Sequence, residues 1–181
     1  MMSVSTAPSN ALPVPLADPI DRLIRWIGYG LCWAYGLLVF VIILQVVLRY
    51  GFGSGLIVLE ELQWHLYAVG VMFGVSYAQV NDAHIRVDIM HMRFSPRTQR
   101  LFEIVGIVIF LLPFVWVVFY SSLEFVYDAW RIGERSDAPL GLPYRWLIKG
   151  AIPAAFGLLG LAALSRLWRD IYLLINDRGA K

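Results

Sequence analysis

The sequence predicts an all-α integral membrane protein with four transmembrane helices and a cytoplasmic amphipathic helical segment between spans two and three. Hydrophobic residues make up 59% of the 181 residues and charged residues only 15%, whereas a soluble domain averages roughly 45–50% apolar residues. Four apolar runs also reach or approach the roughly 20 residues that cross a hydrocarbon core of about 30 Å. We therefore expect spans at about residues 24–48, 61–80, 101–127 and 147–168.

The first two spans are expected to form a hairpin around a short glycine-containing loop. Trp26–Leu48 has no charged residue, and Leu62–Val80 is also uncharged. Glu60 and Glu61 precede the second span, where the unpaired N–H groups and positive dipole of a helix start favour carboxylates. Arg49 ends the first span on the same side. This spacing predicts an ion pair of Arg49 with Glu60 or Glu61 that closes the hairpin.

Prolines mark the third and fourth spans. Ile104–Leu123 is uncharged and carries Pro113 deep inside it, where we expect a kink or a helix neighbour that tolerates one. The fourth apolar run is short and reaches full length if Trp146 and Lys149 lie at one membrane interface. The Lys149 ammonium group then extends towards the lipid headgroups. Pro153 falls near the first turn of this helix, where a missing N–H costs little.

The basic residues predict the orientation, because cytoplasmic loops carry an excess of Lys and Arg. With four spans both termini lie on one side, together with the 81–100 loop. This side has ten basic residues: Arg22, Arg25, Arg86, Arg93, Arg97, Arg100, Arg166, Arg169, Arg178 and Lys181. The other side has five: Arg49, Arg131, Arg135, Arg145 and Lys149. We therefore expect both termini in the cytoplasm.

Three regions follow from this topology. Residues 1–20 are polar and rich in proline, and we expect a disordered cytoplasmic N-terminus there. They lack the basic start, short apolar core and small-residue cleavage site of a secretory signal. Residues 21–175 form the four-helix membrane domain, and residues 176–181 form a cytoplasmic tail.

The segment between spans two and three is more than a connector. In a helical arrangement, residues 81–95 place apolar side chains on two nearly opposite faces, with polar stripes that include His84, Arg86 and Asp88. An ordinary interfacial helix has a single apolar face. Two such faces indicate a segment held between lipid and protein, although strand-like alternation within it leaves a second conformation open.

Small residues recur at four-residue intervals in both spans of the first hairpin. Span two carries Gly70, Gly74 and Ala78, and span one carries Gly28, Cys32 and Gly36. Such stripes let helix backbones approach closely in lipid. They indicate either a subunit interface or the packing of span one on span two, and both can hold.

No reaction chemistry is indicated, so we expect no catalytic, metal-binding or cofactor-binding residue. Glu61 and His65 share a helix face, but one such pair does not complete a coordination shell. A haem would need facing axial histidines, and only one of the three histidines lies inside a span. Nucleophile and nucleotide motifs are missing. A net charge of +2 does not suggest a nucleic-acid partner. The chain reads as a partner subunit of a membrane complex.

Several short motifs, in their order and spacing, resemble one family. They are Glu60–Trp64, His84–Asp88, Pro139–Pro143, Trp146–Lys149 and Ile152–Pro153. Together with the four-span topology, they resemble the small membrane (Q) subunit of tripartite ATP-independent periplasmic (TRAP) transporters. The resemblance covers about residues 22–170.

The resemblance implies a bacterial inner-membrane complex that imports an organic acid. A periplasmic binding protein delivers the substrate, and a large membrane subunit holds the substrate and sodium sites. The small subunit braces the large one and contributes to docking of the binding protein. No enzymatic activity and no cofactor of its own are implied for this chain, and sodium is expected in the large subunit.

Under this resemblance the loop over residues 128–149 faces the periplasm. We expect Gly141 and Pro143 to fix the angle at which span four enters the membrane. Arg131, Arg135 and Arg145 are candidates for docking acidic groups of the binding protein, with lipid headgroups as the alternative partner. The competing class is a four-helix anchor or assembly subunit of another membrane complex, such as a respiratory one.

Overall fold

The computed structural model describes Val14 and residues 17–81 and 94–176, and these residues are helical apart from turns and loops. A π-helical turn, Ile107–Leu111, joins the third helix to the fourth without a break. The five α-helices are α1 (Ala17–Gly51), α2 (Ile57–Val80), α3 (Pro96–Gly106), α4 (Leu112–Arg131) and α5 (Arg145–Asn176).

Among the described residues, three helical stretches are long and apolar enough to cross a membrane. They are α1, the continuous helix over residues 97–131, and α5. The predicted spans at about residues 24–48, 61–80 and 147–168 lie within α1, α2 and α5, and the one at about 101–127 runs through α3, the π-helical turn and α4. Helix α2, with 24 residues, has the length but is not among the three. Gln63, His65 and Gln79 lower the mean hydropathy of its apolar run.

Helix α1 begins earlier than the sequence indicated. Its first residue is Ala17, so the end of the stretch expected to be disordered is helical. The Val14 N–H donates to the Asp18 carboxylate at 3.2 Å, and Val14 and Ala17 are buried. The Asp18 carboxylate thus accepts from the Val14 N–H, and its negative charge in the first turn interacts favourably with the positive end of the helix dipole. The segment with His84, Arg86 and Asp88 lies outside the described residues.

The π-helical turn accommodates Pro113, where a kink or a tolerant neighbour was expected. Proline lacks the N–H, and its ring clashes with the carbonyl four residues earlier, that of Ile109. Just before Pro113, the Leu112 N–H donates to the Ile107 carbonyl, five residues back. The wider turn provides room for the ring. The helix therefore continues through the proline.

Pro153 was predicted near the first turn of its helix, but α5 already begins at Arg145, eight residues earlier. It is buried inside the helix, where its missing N–H leaves the Lys149 carbonyl without its usual helical donor. The prediction was wrong because the ion-paired residues before the apolar run are already helical.

Helix α5 occupies the centre of the bundle and contacts each of the other four helices. The core cluster joins Ile24 of α1 to Leu158 and Ala162 of α5. The buried Ser76 hydroxyl of α2 donates to the Ala155 carbonyl at 3.4 Å. Small residues on α5 thus allow α1 and α2 to approach its backbone.

The two small-residue stripes are only partly used within the chain. A Cβ atom on Gly28 would lie 2.8 and 2.9 Å from ring atoms of Tyr77, and one on Gly70 would lie 2.5 Å from Tyr35 Cζ. These two glycines therefore pack α1 against α2. A Cβ atom on Gly36 or Gly74 would meet nothing within 4 Å.

The outward faces of the long helices are apolar. Trp33 of α1 is 83% exposed, and Phe110 and Trp116 on the third stretch are 72% and 68% exposed. A soluble monomer rarely exposes so much contiguous apolar surface. These faces are suited to lipid or to another membrane subunit.

Candidate functional site

Two loops lie at one end of the bundle, which we call the loop end: residues 52–56 between α1 and α2, and residues 132–144 between α4 and α5. Glu61, in the first turns of α2, binds the second loop. Its Oε1 accepts a hydrogen bond from the Ser136 hydroxyl, and its Oε2 accepts one from the Leu142 N–H at 2.5 Å. Hydrogen bonds to an ionised acceptor are about twice as strong as neutral ones. Glu61 therefore anchors the 132–144 loop.

Gly141 is required at the point where this loop is tightest. The Ser136 N–H donates to the Leu142 carbonyl at 3.3 Å, and the Gly141 N–H donates to the Ala138 carbonyl at 2.9 Å. A Cβ atom on Gly141 would lie 2.5 Å from Ser136 Cβ and 2.8 Å from Glu61 Oε1. Any side chain at this position would push the loop away from its anchor.

The start of α5 is tied to the same loop by ion pairs. Lys149 Nζ pairs with Glu134 and lies 3.8 Å from the centroid of the Phe125 ring. Arg145 Nη1 lies 3.7 Å from Glu134 and 3.5 Å from Asp137. The side chain of Lys149 is only 15% exposed. Within the chain its ammonium group therefore meets Glu134, and its expected extension towards lipid headgroups stays a prediction.

Trp146 and Pro143 flank this junction. Trp146 lies in the first turn of α5 and is half-buried, whereas Pro143 is exposed in the loop. The Arg145 N–H donates to the Glu134 carbonyl at 3.1 Å, so the backbone as well as the side chains joins the loop to the helix.

The predicted ion pair of the first hairpin is present. Arg49 Nη1 lies 3.5 Å from Glu60 Oε1, with side chains that are 63% and 47% exposed. The Gln45 amide donates to the same oxygen at 3.3 Å and accepts from the Leu56 N–H at 3.3 Å. An exposed ion pair contributes roughly 0–1 kcal/mol to stability. The two hydrogen bonds of the buried Gln45 therefore contribute more to holding the hairpin closed than the Arg49–Glu60 pair does.

The three arginines proposed for docking differ in their surroundings. Arg145 is engaged by Glu134 and Asp137. Arg131 and Arg135 are exposed, and within the described part of the chain neither has an acidic group within salt-bridge distance. Of the three, Arg131 and Arg135 are therefore the ones without an ion-pair partner among the described residues.

A second polar cluster lies at the opposite end, which we call the terminal end. Arg169 Nη2 lies 2.9 Å from Asp18 and 2.7 Å from Asp21. The buried Ser165 hydroxyl donates to Asp21 at 2.6 Å and lies 3.3 Å from the Ala17 carbonyl. The cluster fastens the first turns of α1 to the last turns of α5.

Helix α3 joins the terminal end through Glu103. Arg166 donates to the Glu103 carboxylate at 2.7 and 3.1 Å, and also to Asp170 at 3.2 Å. Neither contact was expected from the sequence. Asp18 and Asp21 at the start of α1 and Arg169 near the end of α5 offered a usable signal for the first, since these helix ends were expected on one side of the membrane. The spacing offered no such signal for Arg166 and Glu103.

His65 lies in a groove of about 320 Å³ between α2 and the start of α5. Val69, Leu147 and Ile148 give the groove apolar walls, and the loop residues 142–144 form its rim. Within the described residues, no three histidine, cysteine, aspartate or glutamate side chains are grouped so that they could hold a metal ion. The contacts at both ends fix helices and loops.

The comparison with known families decides what kind of protein this architecture belongs to. The family model described as "Tripartite ATP-independent periplasmic transporters, DctQ component" matches residues 38–172, which is well over half of the chain. The chain belongs to the DctQ family. It is also 26% identical over 129 residues to a Haemophilus influenzae protein described as a TRAP transporter small permease protein. That alignment covers 71% of this chain and 78% of the relative.

The matched region of this DctQ-family chain runs from the middle of α1 into the last turns of α5. It includes the Glu61 anchor, the whole 132–144 loop and Arg169. The first aspartates of the terminal end, Asp18 and Asp21, precede it. The resemblance inferred from the short motifs is therefore confirmed, and the chain is a membrane component of a transporter family.

Proposed function

We propose that this chain is the small permease subunit of a TRAP transporter that imports an organic acid across the bacterial inner membrane. It braces a large sodium-coupled subunit and helps to dock the periplasmic binding protein that delivers the substrate. Sodium binds the large subunit, and this chain acts without a cofactor and without enzymatic activity. The family membership carries this proposal.

The distribution of polar contacts supports a static role. The described ion pairs lie at the two ends of the bundle, where they fix the loops and helix ends. A self-sufficient ion-coupled carrier usually places ionisable or unwound elements near the midplane. The exposed aromatic side chains between the two ends offer a broad apolar surface to the large subunit and to membrane lipids.

We assign α2 as a membrane span in addition to the other three helical stretches, which makes four spans in all. Its 24 residues correspond to about 36 Å of helix at about 1.5 Å per residue, more than the about 30 Å of a hydrocarbon core. His65 is half-buried against the start of α5, which lowers the cost of a polar group at that depth. Both termini then lie in the cytoplasm, together with the segment that contains His84, Arg86 and Asp88.

Affinity purification from the native membrane tests the function. The tagged chain should retain a large multi-span subunit, and the pair should bind a periplasmic protein and support sodium-dependent uptake in proteoliposomes. Retention of a haem-containing or redox partner instead would favour the anchor of a respiratory complex.

The docking arginines have their own test. Reversing the charge of Arg131 and Arg135 in the assembled complex should slow uptake at limiting concentrations of binding protein. Unchanged uptake would refute their role in docking and leave contact with lipid headgroups as their function.

A further inference from the structure

Gln63, near the start of α2, carries a buried polar atom without a partner. Its side-chain nitrogen, Nε2, is shielded from solvent and has no hydrogen-bond partner in the described part of the chain. Such groups are rare in native proteins, and each one calls for an explanation. An unpaired buried amide costs free energy that an apolar side chain of the same size would not cost. Gln63 is therefore unfavourable in the isolated chain.

The pairing of α1 with α2 shows how deep Gln63 lies. Gln45 of α1 donates to Glu60 of α2 at 3.3 Å, which fixes the register of these antiparallel helices. Three residues further from the loop on each helix, Ile42 is level with Gln63. Ile42 is about 7 Å from the centre of the uncharged run Trp26–Leu48, whereas the hydrocarbon core extends about 15 Å from its centre. The Gln63 amide therefore lies deeper than the ester carbonyls of the lipids.

Gln63 lines an open groove of about 230 Å³ between α1 and α2. Leu38 and Ile42 contribute from α1, and Trp64 and Tyr67 contribute from α2. Trp64 is exposed, and Tyr67 is about half exposed. The Tyr67 hydroxyl, one helical turn from Gln63, makes no hydrogen bond within the described residues. The groove is thus apolar, apart from two polar groups that lack partners.

These polar groups select a protein over lipid as the occupant of the groove. Acyl chains neither donate nor accept hydrogen bonds, so lipid would leave both groups unsatisfied. A soluble periplasmic protein does not reach this depth. A transmembrane helix does, and polar side chains on such helices form hydrogen bonds across helix–helix interfaces.

We propose that a transmembrane helix of the large subunit packs in this groove and that one of its polar side chains hydrogen-bonds to the Gln63 amide. The Gln63 side chain lines the groove, so rotation about its own bonds turns the amide towards the partner. This inference rests on the proposed function and identifies the surface through which the chain meets the large subunit. A lipid chain and a second copy of this chain are the competing occupants.

The test compares the stability of the purified chain with its affinity for the large subunit, measured by energy transfer between the labelled subunits in proteoliposomes. Q63L removes the amide and keeps a side chain of similar size. It should raise the Tm of the purified chain by about 2–4 °C, because the unpaired amide is gone. It should also raise the Kd for the large subunit about three- to tenfold. A merely structural role of Gln63 would lower Tm and affinity together.

Two matched controls separate the groove from the rest of the hairpin. Q79L makes the same change about 160° away around α2 and should leave Kd within about twofold of wild type. I42W fills the groove and should raise Kd about tenfold or more, because the overpacked site excludes the partner helix. Ile43 is the neighbouring residue at the same depth and does not line the groove, so I43W should leave Kd within about twofold.

A photoreactive residue identifies the occupant directly. Benzoylphenylalanine in place of Trp64, irradiated in the native membrane, should attach the chain covalently to the large subunit. A covalent product of two copies of this chain, or attachment to phospholipid alone, would overturn the proposal.

An unchanged Kd or a lowered Tm for Q63L would also overturn the proposal, as would equal weakening by I42W and I43W. These results, in a complex that still assembles and transports, would leave the proposed function intact. A chain that retains no large subunit on purification would instead refute the proposed function itself.

Discussion

The contact between Gly28 and Tyr77 predicts a large difference between two alanine substitutions on one helix. In G28A the new Cβ would lie 2.8 and 2.9 Å from Cε2 and Cγ of Tyr77, whereas carbon atoms prefer about 3.5–4.0 Å. The ring atom Cγ is bonded directly to Cβ, so it moves only by a change of χ1 away from its packed position or by a shift of α2. Such overpacking typically costs about 1–3 kcal/mol.

Gly30 provides the matched control. It lies two residues further along α1, and a Cβ atom there would meet nothing within 4 Å. G30A therefore gains only the helix-forming preference of alanine, about 1 kcal/mol. G28A gains the same preference, so the two variants should differ by the overpacking cost alone, about 1–3 kcal/mol in the free energy of unfolding, with G28A the less stable. Titration of the purified chain with a denaturing detergent, followed by circular dichroism, measures this difference.

A double-mutant cycle with Y77A isolates the contact. With the ring removed, G28A should lose its penalty and approach the stability gain of G30A, as expected for two residues in direct contact. Equal stability of G28A and G30A in the wild-type background would refute the packing argument. A penalty of G28A that persists in Y77A would show that another neighbour causes it.

Two further predictions concern the ion pairs at the two ends. D21N leaves the largely buried Arg169 with a weakened partner, and we expect a loss of about 3 kcal/mol in unfolding free energy. The Asp18 side chain is 41% exposed, so D18N should cost about 1 kcal/mol or less. Similar losses for both variants in the same detergent titration would contradict the role of burial. R49A removes only the exposed pair with Glu60 and should change unfolding free energy by less than about 1 kcal/mol; a larger loss would show that this pair, rather than Gln45, closes the hairpin.

The features that follow from local spacing could be predicted from the sequence. The Arg49–Glu60 pair lies across a loop of a few residues, so the geometry of a helical hairpin places the two side chains together. Gly141 could be singled out because a short run of proline and glycine residues has few possible conformations. The four apolar runs likewise follow from composition alone, since length and hydropathy decide which segments lie in helices.

The contacts between residues distant in sequence could not be predicted in this way. Glu61 binds the backbone of a residue 81 positions away, and no periodicity encodes that partner. A small-residue stripe shows which residues share a face and leaves open which neighbour fills the space. Gly70 meets Tyr35, but Gly74, one turn further along the helix, meets nothing. Pro153 was misplaced because ion pairs with the preceding loop extend α5 beyond its apolar run.

The π-helical turn before Pro113 has a consequence for the history of the family. Along α4 the buried residues Val115, Ser122 and Ala129 are seven positions apart, but the preceding buried residue, Ile107, is eight positions before Val115. In an ordinary α-helix, one added residue rotates all later side chains by about 100° about the helix axis and would move Val115, Ser122 and Ala129 out of the interior. The π-helical turn accommodates the added residue without this rotation.

Ancestors with and without the residue would therefore bury the same side chains. When relatives are aligned, a one-residue gap should therefore fall within Ile107–Leu111, and deleting one residue there should be tolerated better than a deletion between Val115 and Ser122.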